Sequence, residues 1–137
     1  MTRHVSHIGI AVNDLEASKR TFGALLRVTD FHDETVAAQR VHVASCDVGG
    51  TRIELTAATD AESTIAKFIA KRGEGIHHIA FEVDDVDAEM QRLLKEGFIF
   101  AGEHPTPGAH GMRIVFLHPK STNGVLVELC QRGAGND

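Results

Sequence analysis

Ile76-His77-His78-Ile79-Ala80-Phe81-Glu82-Val83-Asp84-Asp85 is a β-branched and aromatic run with two histidines at its head and an acidic turn behind it, a pattern that reads as a strand entering a turn. A near-copy, Ser6-His7-Ile8-Gly9-Ile10-Ala11-Val12-Asn13-Asp14-Leu15, stands near the N-terminus. Superimposed, His7 meets His78, Ile8 meets Ile79, Val12 meets Val83 and Asp14 meets Asp85. The repeat continues downstream, where Gly49-Gly50-Thr51-Arg52-Ile53-Glu54-Leu55 answers Asn123-Gly124-Val125-Leu126-Val127-Glu128-Leu129, each a turn followed by apolar-Glu-apolar. Glu54 follows His7 by 47 residues and Glu128 follows His78 by 50. One module is written twice, and each copy opens on a His and closes on a Glu.

Composition narrows the class. The chain has 137 residues, 42% of them hydrophobic and 24% charged, which is the make-up of an ordinary globular domain. A formal charge of −5 with no basic tract argues against a nucleic-acid partner. Cys46 and Cys130 are too few for a disulfide framework and too far apart for a zinc clip, so both are expected to be buried thiols. No apolar run reaches membrane-spanning length and no signal-peptide core opens the sequence. The expectation is a cytoplasmic protein without a membrane partner.

The spacing predicts an α+β fold of two βαβββ modules in tandem, residues 1–72 with a connecting helix and residues 73–137. Together they would form a cupped, partly open mixed β-barrel with helices outside. In the first module strands are predicted over 3–12, 28–36, 41–47 and 51–57. A helix capped by Asn13 or Asp14 buries Leu15, Phe22, Leu25 and Leu26, and the connecting helix covers 61–71. In the second, a strand from Ile76 leads to a helix capped by Asp84 or Asp85, with Val86, Met90, Leu93 and Leu94 on its apolar face. Strands follow over 98–102, 113–118 and 124–131, with an irregular loop over 103–111 and a disordered tail over 133–137.

Strand parity places His7, Glu54, His78 and Glu128 on the face opposite the apolar residues that the helices cover. Taken singly, a strand histidine is ordinarily a hydrogen-bonded side chain, and a glutamate between apolar neighbours is ordinarily the wet side of an amphipathic strand. Four such residues recurring in register share a cause. Two imidazoles and two carboxylates make a ligand set for one divalent ion, with Co, Ni, Zn, Mn and Fe all suited to it. His77 points to the other face and is read as structural, and the remaining histidines have no repeat mate.

With these residues in hand, the chain resembles the vicinal oxygen chelate (glyoxalase/dioxygenase-like) superfamily. Within it, Val5 to Leu129 is similar to the methylmalonyl-CoA epimerases. The resemblance is carried by His7–Val12, Glu62-Ser63-Thr64-Ile65-Ala66-Lys67-Phe68, Gly73–Phe81, Phe116-Leu117-His118-Pro119-Lys120 and Gly124–Leu129. It implies metal ligation by His7, His78 and Glu128, with Glu54 where these epimerases often carry glutamine. It also implies epimerisation of (2R)/(2S)-methylmalonyl-CoA, in which an α-proton is abstracted and returned through an enolate that a divalent ion stabilises. Glu128 and Glu54 are then the catalytic candidates, Arg113 and Lys120 the substrate-binding ones, and a homodimer the expected assembly.

Two positions depart from the family pattern. Ala38, before Gln39-Arg40-Val41, stands where the epimerases usually have a proton-transferring glutamate, and Met112 stands where some relatives have serine. Glu34 lies four residues before Ala38, and Glu54 is the better replacement because a metal-held carboxylate can let go and act as base. The same departure gives weight to a glyoxalase I-type lactoylglutathione lyase, whose ligand glutamate doubles as base. A non-catalytic small-molecule-binding relative and a ring-cleaving dioxygenase are the remaining alternatives.

Overall fold

Asp14 and Asp85, the matched acidic residues of the repeat, each cap a helix. Asp14 accepts the Ala17 N–H at 3.0 Å and Asp85 the Ala88 N–H at 3.1 Å, so equivalent local sequence starts a helix at equivalent places. The computed structural model describes residues 2–133. Its elements run β1 (Thr2–Ala11), α1 (Leu15–Leu26), β2 (His32–Val36), β3 (Val41–Val48), β4 (Thr51–Ala58), α2 (Thr64–Arg72), β5 (Gly75–Val83), α3 (Val86–Lys95), β6 (Thr106–Pro107), β7 (Arg113–Phe116) and β8 (Val127–Gln131). This is the α+β class with a βαβββ order in each half.

The chain divides into two compact units, His7–His77 and the residues up to Ser6 together with those from His78 onward. In the first the strand order is β2-β3-β4-β1, with β1 parallel to β4 and the other neighbours antiparallel. In the second, the opening residues of β1 are followed by β5-β8-β7-β6, with β5 parallel to β8 and β7 antiparallel to both β8 and β6.

Each unit has its own helix-side core. In the first, Val12, Ala44, Leu55 and Ala57 pack with Ile10, Leu15, Phe22 and Ile53 beneath α1. In the second, Val83, Val86, Met90, Leu93 and Leu129 pack with Phe81 and Val127 beneath α3. Two expected core positions are exposed instead, Leu25 on α1 and Leu94 on α3. At about 100° per residue each lies roughly 80° from the centre of its helix's apolar stripe. Gly23 in α1 is a packing requirement, because a Cβ there would lie 2.7 Å from the Val28 carbonyl oxygen.

Several boundaries differ from the sequence expectation. Residues 28–31 do not extend β2; Arg27 turns left-handed at φ 57° and the Val28 N–H returns to the Gly23 carbonyl. The connecting helix begins at Thr64, because Ser63 caps it through the Ile65 N–H while Asp60 holds the Glu62 N–H in a preceding turn. The expected strand 98–102 is reduced to a bridge between Phe100 and Leu117, since the Ser121 hydroxyl takes the Ile99 N–H at 2.8 Å. The loop 103–111 does contain a regular element: Thr106 and Pro107 pair with Ile114 and Arg113. Proline is admitted there because β6 ends the strand order and its missing N–H costs no ladder bond. The predicted disordered tail, Gly133 apart, lies outside the described residues.

Candidate functional site

The backbone register that positions the repeated His and Glu is the same in both units. On β1 and β4, Gly9 pairs with Glu54 and His7 stands two residues earlier. On β5 and β8, Ala80 pairs with Glu128 and His78 stands two residues earlier. Residues two apart on a strand share a face, so each Glu is set diagonally beside its His on adjacent parallel strands.

In the His7–His77 unit, His7 Nε2 lies 3.5 Å from Glu54 Oε1, and both residues are 4% exposed. Arg52, paired with His7 across the strands, directs Nε and Nη2 at Glu54 Oε2 at 3.3 and 3.2 Å. Its Nη2 also lies 3.3 Å from His7 Nδ1. The guanidinium therefore occupies one carboxylate oxygen and leaves the other turned to the imidazole. In the other unit, His78 Nε2 lies 3.3 Å from Glu128 Oε1, and both are buried. Phe116 meets the His78 ring edge-on at 5.5 Å between centroids. Ala80, Met112, Ile114 and Cys130 form an apolar bed on the same side of the sheet.

A carboxylate removed from water needs a compensating cation or strong hydrogen bonds. Each pair supplies one imidazole nitrogen and one carboxylate oxygen for this. Ligand atoms about 2.1 Å from a common divalent ion lie roughly 3.0 to 3.4 Å apart for octahedral or tetrahedral angles, close to the 3.5 and 3.3 Å found within the pairs. The donor chemistry, the burial and the separations fit a metal.

Arg113 does not join these residues. Phe116 pairs with Glu128, so Arg113, three positions earlier on β7, projects to the other face. There its guanidinium is ion-paired with Asp87 on α3 at 2.9 Å. That face is not the one that carries the His and Glu side chains. Lys120 is exposed in a 3₁₀ turn whose first residues are capped by His118 Nδ1, which accepts the Lys120 backbone N–H at 3.1 Å. Ala38 is exposed in the 3₁₀ turn Ala37–Gln39. His77, on the opposite face from His78, packs edge-on against Phe68 of α2 at 4.9 Å, the structural part expected of it. Cys46 and Cys130 are buried thiols, and burial pushes the Cys46 thiol up from its ordinary range.

Two residues were missed from sequence. Arg52 is one, and its parity with Glu54 two residues on was the available signal. Glu82 is the other: it shares a face with His78 and is 4% exposed, with Arg132 Nε at 3.3 Å, Arg3 Nε at 3.5 Å and His4 Nε2 at 3.9 Å. The two guanidinium groups account for its burial structurally.

The chain belongs to the Glyoxalase/Bleomycin resistance protein/Dioxygenase superfamily, whose profile matches residues 6–116. Within it the chain is an epimerase-like isomerase. It is 38% identical over 133 residues to the ethylmalonyl-CoA/methylmalonyl-CoA epimerase of Cereibacter sphaeroides, covering 96% of this chain and 99% of that one. The crystal structure of methylmalonyl-CoA epimerase from Mycobacterium tuberculosis superimposes with a TM-score of 0.92 at 36% identity, covering 96% of this chain and 89% of that one. A variant of Streptomyces coelicolor methylmalonyl-CoA epimerase in complex with 2-nitronate-propionyl-CoA gives a TM-score of 0.90 at 36% identity, covering 98% and 100%. No helix among the described residues is long and apolar enough to cross a membrane.

Proposed function

We propose that this chain interconverts the (2R) and (2S) epimers of methylmalonyl-CoA, using one divalent metal ion held by His7, Glu54, His78 and Glu128. The observation that carries this reading is the duplicated pair of buried imidazole and carboxylate, set at the same register diagonal in both units of a chain similar to epimerases of this substrate. When bound, the ion supplies Lewis-acid stabilisation of negative charge on substrate oxygens.

The reacting carbon lies between a thioester and a carboxylate, so its proton is acidic enough for a positioned carboxylate to remove. Glu128 and Glu54 are the side chains we place beside that carbon. A carboxylate takes the proton, the electron pair moves onto the thioester oxygen as an enolate, and a proton returned from the opposite face inverts the centre. Each positioned acid or base contributes about 10²–10⁴-fold. The apolar bed under His78 limits water around the pair, which strengthens electrostatic effects there. Lys120, exposed and cationic, is placed on a phosphate of the CoA. We take the working form to be a cytoplasmic homodimer, in which β2 and β6, the ends of the strand order, are the edges for pairing with a second copy.

Incubating the cobalt-loaded protein with methylmalonyl-CoA in D₂O tests the proposal. Deuterium entering the α-position and interconversion of the two epimers are expected, with loss of both in Glu128→Gln. Absence of exchange, with turnover of a methylglyoxal–thiol adduct instead, would move the assignment to a glyoxalase.

A further inference from the structure

Inverting a carbon through a planar enolate requires proton transfer on both of its faces, and a single carboxylate serves one face at a time. Glu54 and Glu128 each stand against an imidazole of the proposed ligand set, so the opposite face calls for an acid/base group outside that set. The strand register of the His7–His77 unit identifies a candidate. Glu34 on β2 pairs with Val43 on β3, Val43 pairs with Thr56 on β4, and Ser45 pairs with Glu54. Directly paired residues project to one face, as do residues two apart along a strand. Glu34 therefore shares the face of Ser45 and Glu54.

Its neighbour Asp33 has the other parity and the other task, since both its oxygens take Lys19 Nζ of α1, at 2.8 and 3.0 Å. The side chains between Glu34 and Glu54 are buried, with Val43 4%, Ser45 3% and Thr56 5% exposed, whereas the Glu34 side chain is 28% exposed. Its carboxylate thus stands at the solvent-open rim of a buried surface. Two strand spacings and a two-residue offset separate the Glu34 and Glu54 backbones by roughly 12 Å on a flat sheet. Two glutamate side chains projecting from such positions leave room for a small acyl carbon between them. His32 Nε2 lies 3.5 Å from Glu34 Oε1 and its own side chain is 60% exposed, a route by which a proton on Glu34 exchanges with water.

We propose that Glu34 is the second acid/base residue, serving the face of the reacting carbon opposite the one served by the ligand carboxylates. This rests on the epimerase reading above. In one direction the Glu34 carboxylate accepts the α-proton: the C–H bond breaks, an O–H bond forms and the electron pair becomes the enolate. A proton from the opposite carboxylic acid then makes the new C–H bond as the enolate returns to the thioester. The reverse direction uses the same groups in exchanged roles, and no oxidant or reductant enters.

The test follows each epimer separately by NMR in D₂O with the cobalt-loaded protein and its Glu34→Gln variant. Wild type exchanges and interconverts both epimers. Glu34→Gln is expected to slow interconversion about 100-fold or more, while one epimer still exchanges its α-hydrogen with retention and the other falls silent. Glu34→Asp is expected to restore part of the lost interconversion. Unchanged interconversion in Glu34→Gln overturns the proposal, as does equal loss of exchange from both epimers with circular dichroism and metal content intact. Should Glu34→Gln not fold, Glu34→Asp decides: unequal slowing of the two epimers supports the proposal and equal slowing opposes it. Absence of exchange in wild type overturns the epimerase reading itself, and this proposal with it.

Discussion

His7 and Glu54 face each other across parallel strands with Nε2 and Oε1 3.5 Å apart, and His78 and Glu128 repeat that relationship at 3.3 Å. Both members of each pair are buried, so each unit hides an acid whose neighbour is an imidazole. A duplicated module has kept the same diagonal twice.

The first prediction concerns ligation. His7→Ala, His78→Ala and Glu128→Gln should each reduce bound divalent metal from one equivalent towards none, as read by metal analysis of the purified variants. If either histidine variant keeps a full equivalent with unchanged affinity, that pair does not hold the ion.

Arg52 should behave as an orienting residue. By fixing Glu54 Oε2 it leaves Oε1 turned towards His7. Arg52→Ala should then weaken cobalt binding by about 10–100-fold, the range for losing an outer-sphere partner. Calorimetric titration with Co²⁺ reads this directly, and unchanged affinity would show that the fork has no influence on the ligand.

Arg113 gives a prediction of the opposite kind. Its partner is Asp87 on the helix side of the sheet, so Arg113→Ala should leave KM and kcat for methylmalonyl-CoA within about twofold, well under 1 kcal/mol. A tenfold rise in KM would return Arg113 to the substrate.

Stability should follow two features of the cores. Leu55 is fully buried under α1, and Leu55→Ala should cost about 2–5 kcal/mol in urea unfolding. On α3, the hydrogen bond from Arg92 holds the Glu89 carboxyl below its ordinary 4.5, against the opposing effect of burial. A carboxyl lowered on folding adds stability above its unfolded value and loses it as pH falls through the folded one. Glu89→Gln should therefore be less stable than wild type at pH 7, with the gap closing below about pH 4.5. A gap independent of pH would assign the loss to packing.

Much of this architecture was legible because it repeats. Asp14 and Asp85 announced two helix starts, and the apolar-Glu-apolar runs fixed which way Glu54 and Glu128 point once they were read as strands. What was illegible depended on pairing that no local pattern encodes. Arg113 was assigned to substrate because its neighbours carry the family resemblance, but its face is set by the β7–β8 register that puts Phe116 opposite Glu128. The face of Glu34 is set in the same way, by the pairing across three strands that puts it on the side of Glu54 through Val43 and Ser45. Thr106-Pro107 read as loop because proline and glycine dominate it, and the strand there exists only through Ile114 and Arg113.

Crystals of the protein grown with cobalt, measured on both sides of the cobalt absorption edge, address the shared ion most directly. One anomalous peak per chain, bonded to His7, Glu54, His78 and Glu128, is the expected result. Separate peaks on the two histidine–glutamate pairs, or one that neither histidine touches, would contradict it.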